Sequence, residues 1–147
     1  MPIPRSALLL GLAGVLPFIW GAISTHFPSV NQYVMGWLGP RFVGPYVQVA
    51  YGTVILSFMS GVLWGFATNA GDRQALCYGL SVLPALWVFF AVGGGNATAT
   101  YALIAGFVFL LTLDQLFAKW DLTPLWWMRL RILLTVLVVT CLLIGLV

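Results

Sequence analysis

The stretch YGTVILSFMSGVLWG, Tyr51 to Gly65, is apolar enough to lie in a membrane, yet it carries Gly52, Thr53, Ser57, Ser60, Gly61 and Gly65. A helix that meets only lipid gains nothing from such small side chains. Thr53, Ser57, Gly61 and Gly65 recur every fourth residue, so in a helix they form one nearly continuous row. Membrane helices associate through close packing, and small residues let a second backbone approach. The spacing predicts a packing face, with a matching row at Thr98, Ala102 and Gly106 in a later segment. The helix around Tyr51–Gly65 is then the hub of a bundle, and the Leu-rich final segment faces lipid.

Composition agrees with a lipid environment. The 147 residues are 62% hydrophobic and 6% charged, with a mean hydropathy of +1.06. A soluble domain carries roughly 25% charged residues because its surface faces water. The net charge of +3 comes from six scattered Lys and Arg, with no basic run to engage nucleic acid. Cys77 and Cys141 lie in separate apolar segments without metal-type spacing, and a disulfide framework is not expected.

Five apolar segments, about 6–25, 46–67, 75–93, 97–117 and 126–147, are long enough to cross as helices. Their unbroken apolar runs do not alternate as barrel strands do. The expected fold is an all-α integral membrane protein, a single five-helix domain over residues 1–147. The opening segment reads as a retained first span and not a cleaved leader, for no clear small-x-small cleavage site follows it. Thr123 and Pro124 have the chemistry of a helix start, predicting that the last helix begins there.

Arg5, Arg73, Lys119, Arg129 and Arg131 fall on one side of this arrangement and Arg41 alone on the other. Basic residues favour the cytoplasmic side, so the N-terminus is expected there and the C-terminus on the far side. The far-side connection, 26–45, is rich in aromatic residues. Ser29 is placed to cap a short helix through Leu38 lying in the headgroup region. Phe27, Tyr33, Trp37, Arg41 and Phe42 also make this loop a candidate docking surface for a partner.

The motif YGTVILSFMSGVLWGFA, with PRSALLLGLAGVLPF near the start and WWMRLRILLT in the last segment, resembles the transmembrane protein 69 family. The resemblance covers most of the chain. It implies a small inner-membrane protein of the kind found in proteobacteria and mitochondria, without an established catalytic activity. Leu63 stands where the family pattern has a more polar residue just before Trp-Gly.

Few residues offer chemistry. Asp114 lies about one turn before the end of the fourth segment. A charge at a helix centre costs roughly 2.5–3.5 kcal/mol on insertion scales, and less near the ends. Arg129 and Arg131 enter the fifth segment at similar depth, predicting an intramembrane charge pair across the joint. His26 is the only histidine and is expected on the opposite side from the aspartates, so neither a catalytic triad nor a metal site assembles.

These features point to a non-enzymatic accessory or assembly subunit in a bacterial cytoplasmic membrane. It would pack against other integral membrane proteins of a larger energy-transducing complex, respiratory or photosynthetic. A small transporter or channel is the alternative. No intrinsic cofactor is expected; lipid, quinone or pigment at a partner interface is compatible with the apolar surfaces.

Overall fold

Proline divides the first apolar segment in two. Pro17 lacks an N–H, and in a continuous helix its ring would clash with the carbonyl of Ala13. Helix α1 accordingly spans Arg5–Ala13, and α2, Leu16–His26, begins with Pro17 in its first turn. The continuous first helix expected from the sequence is therefore a broken one. The computed structural model describes all residues, Met1–Val147, and assigns no strand.

Helix α3, Pro28–Leu38, starts one residue before the expected cap. Pro28 opens it, which removes one N–H that would otherwise need a partner, and Ser29 makes no capping bond. Gly39, at φ 88°, ends α3 in a conformation that glycine adopts without steric cost. A 3-10 turn, Pro40–Phe42, leads into α4, Gly44–Ala67. Then follow α5, Gln74–Ala91, α6, Asn96–Lys119, and α7, Trp127–Ile144. The start of α7 lies later than expected. Thr123 and Pro124 belong to the preceding turn, where the Pro124 carbonyl accepts from the Trp127 amide at 2.9 Å.

Five of the resulting spans are long and apolar enough to cross a membrane: Arg5–His26, Gly44–Ala67, Gly71–Ala91, Asn96–Lys119 and Trp127–Ile144. Contacts at the two ends fix their order. Arg73, after α4, stacks over the Trp120 ring after α6, with 5.5 Å from guanidinium carbon to ring centroid. At the other end, the His26 ring at the close of α2 hydrogen-bonds the Ile144 carbonyl at 2.9 Å. Successive spans therefore run up and down.

Helix α4 is the hub, packing against α2, α5 and α6, while α7 closes on α6, α2 and α1. The packing row differs from the one expected. The buried face of α4 carries Gly44, Gln48, Gly52, Leu56 and Ser60, then Leu63 and Ala67. It is offset by one residue, about 100° around the helix, from the Thr53 row. Thr53 and Ser57 are half-buried, whereas Gly61 and Gly65 are exposed, and a Cβ added at either would meet nothing within 4 Å. On α6, Thr98 is exposed, Ala102 half-buried and Gly106 buried. A Cβ at Gly106 would come to 2.5 Å from Leu56 and 2.9 Å from Trp87, so there the small residue is needed. Size alone did not separate the two rows, because a small residue serves packing only where a bulky neighbour fills the space it leaves. Nor is α7 merely lipid-facing: Leu130, Arg131, Thr135, Val138 and Leu142 are buried.

Polar anchors hold the helices at fixed depth. Gln48 Nε2 donates to the carbonyls of Phe18 and Cys141, both at 2.9 Å, joining α2, α4 and α7. The Ser24 hydroxyl accepts from the Gly44 amide at 2.7 Å, satisfying a free N–H at the start of α4. Outside, Phe89 and Phe90 are each 79% exposed, as lipid-facing side chains are.

Candidate functional site

The polar centre of the bundle is built where α6 ends and α7 begins. Asp114 is on the last turns of α6, and its side chain is fully buried. Its Oδ2 accepts from Arg131 Nε at 2.7 Å, and its Oδ1 accepts from Trp127 Nε1 at 2.8 Å. Trp127 and Arg131 are four apart on α7, so one helix face presents both donors to the same carboxylate. Arg129, two residues away, points elsewhere and is exposed. Of the two arginines expected to meet Asp114, Arg131 alone does so.

The pair neutralises itself, which makes it tolerable away from water; either charge alone would be costly there. The neutralisation is incomplete in hydrogen-bonding terms. Arg131 Nη2 and the Thr135 hydroxyl, one turn further along α7, are both buried with no partner. Both residues line a pocket of about 240 Å³. The break between α1 and α2 supplies Gly14 and Phe18, α4 supplies Phe58, and α6 supplies Phe107. Thr135 and the pocket were not foreseen from the sequence. Thr135 is one of two threonines in a Leu- and Val-rich helix, and nothing local tells it from exposed Thr140; the cavity depends on how five elements meet.

The remaining candidates do not converge. Phe27, between α2 and α3, Tyr33 and Trp37 on α3, and Arg41 and Phe42 on the turn after it are all exposed, and α3 buries none of its residues. One backbone group of this region is held by the bundle: Trp20 Nε1 donates to the Phe42 carbonyl at 2.7 Å. Cys77 and Cys141 are free thiols. No three His, Cys, Asp or Glu side chains gather in metal-binding range.

Five apolar spans around a self-neutralised ion pair define a multi-pass helical membrane protein. Residues 3–147 match the family model described as Protein of unknown function (DUF3429), and the chain belongs to that family. It is 33% identical over 141 residues to Transmembrane protein 69 of Xenopus tropicalis, an alignment covering 92% of this chain and 51% of the relative. The family resemblance carried by the Tyr51–Gly65 motif is thus confirmed, and the chain spans about half the length of that curated relative. No solved structure matches.

Proposed function

We propose that this protein is a non-catalytic accessory or assembly subunit, which packs in a bacterial cytoplasmic membrane against other integral proteins of an energy-transducing complex. The observation that carries this reading is the outward-facing row on α4. The hub helix uses one face for its own bundle and leaves Gly61 and Gly65 exposed beside half-buried Thr53 and Ser57, with open space over both glycines. In lipid such a row gains little unless another helix approaches it closely. The exposed aromatic residues of α3 offer the same partner a second contact at the bundle end. The basic asymmetry supports an N-terminus in the cytoplasm.

The test is purification of the protein in mild detergent from its native membranes, with identification of what accompanies it. The expected result is a defined set of integral membrane proteins, lost from a Gly61→Leu/Gly65→Leu variant that folds normally. Isolation of the wild-type chain alone, or capture unchanged in the variant, would overturn the proposal.

A further inference from the structure

The pocket beside the ion pair has an unusual combination of walls. Most of its lining is apolar, and three of its side chains, Phe18, Phe58 and Phe107, are aromatic. Against them stand two polar residues, Arg131 and Thr135, each 5% exposed. They are four apart on α7 and so share one face. Arg131 spends only Nε on Asp114, leaving Nη2 without a partner, and the Thr135 hydroxyl is likewise unpaired. Buried polar groups are almost always paired, and leaving them unpaired is costly. These two call for an acceptor.

The chemistry of that acceptor is constrained. Asp114 already cancels the charge of Arg131, so an anionic head would bring an uncompensated negative charge into a water-poor site. A neutral carbonyl oxygen has two lone pairs and can accept from both groups without that cost. The volume of about 240 Å³ is below the ~300–1,000 Å³ of a pocket for a drug-sized ligand, so it suits one ring and not a whole lipid. Aromatic side chains in the walls favour a flat ring, which can pair with them edge-on or offset, over a flexible acyl chain. Phe58, which is 65% exposed, stands where the pocket meets the lipid-facing surface and leaves a tail a way out.

We propose that this pocket binds the ring of a lipid-soluble quinone, with one ring carbonyl accepting hydrogen bonds from Arg131 and Thr135. The site lies within one chain and does not depend on the assembly role proposed above. Its failure would leave capture through the Gly61 face untouched.

The experiment titrates a short-tailed benzoquinone into the full chain in nanodiscs, following thermal stability and quenching of tryptophan fluorescence. The wild-type protein should show saturable stabilisation. Thr135→Val should weaken binding about five- to tenfold, the loss of one hydrogen bond, while the unliganded protein melts at the same temperature or higher. Arg131→Lys retains a charge for Asp114 but not the guanidinium fork, and should weaken binding similarly. Should Arg131→Lys fail to fold, Thr135→Val decides alone. Thr53→Val, on the other side of α4, should bind as wild type. Equal affinity in wild type and Thr135→Val would overturn the proposal. So would the absence of saturable stabilisation, or stabilisation by diacylglycerol or a fatty acid and not by the quinone.

Discussion

Asp114 holds together the ends of two helices through two bonds that no other residue supplies. Its carboxylate is fully buried, as is nearly all of the Arg131 side chain. Asp114→Asn leaves the guanidinium without its counter-charge, and breaking such a pair costs about 3–5 kcal/mol. The expected outcome is a large fall in thermal stability in detergent. Adding Arg131→Gln should recover much of it, since no charge is then stranded; failure of the double variant to recover would show that the pair is not a self-contained unit. A second residue-scale contrast concerns glycines. A side chain at Gly145 would run directly into the Gln48 amide, whereas Gly61 faces open space. Gly145→Leu should therefore lower folded yield far more than Gly61→Leu, with overpacking costing about 1–3 kcal/mol. Sequence spacing alone points the other way, because it cannot report which row has a bulky neighbour.

Two elements, α4 and α5, meet around an interruption. Pro84 sits inside α5, where it has no N–H to give and disturbs the preceding turn. The Ser60 hydroxyl of α4 enters there. It donates to the Ser81 carbonyl and accepts from the Ala85 amide, groups that pair with each other in an unbroken helix. Lipid offers no substitute for these bonds, so a neighbouring helix must supply them. Ser60→Ala should cost about 1–3 kcal/mol, the desolvation of the groups left unpaired. Ser57→Ala, on the half-buried outer row, should cost much less; comparison of the two melting temperatures checks this. Element α3 behaves differently. None of its residues is buried, so Trp37→Ser should leave thermal stability unchanged.

At the scale of the molecule, five spans and an up-and-down order put the N-terminus, the Arg73 joint and the Lys119 joint at one end. If the basic residues set orientation, a reporter active only outside the cytoplasm should work when fused after Val147 and fail after Arg73. The reverse pattern at both points would invert the assignment. The number of spans, their approximate places and the Asp114–Arg pairing were legible in advance, each for a local reason. Span count follows from the length of apolar runs against bilayer thickness. The pairing follows because a lone charge near lipid needs a partner at its own depth.

What the sequence by itself determined is the environment: with 62% hydrophobic and 6% charged residues, these helices must lie in lipid and satisfy their own backbones. Composition and run length are additive properties, so they can be read without knowing any contact. Which face of each helix turns inward was decided only by the tertiary structure. Two rows on α4 differ by one position, the small-residue row at Thr53 and the mixed row at Gly52, and Leu103, reaching to 2.9 Å from a Cβ at Gly52, packs on the second. Gln48 as the bond between three helices, Ser60 at the proline of α5, and the pocket at Arg131 and Thr135 arise in the same way. Each depends on groups from distant segments arriving at one place, and no local pattern records that arrival.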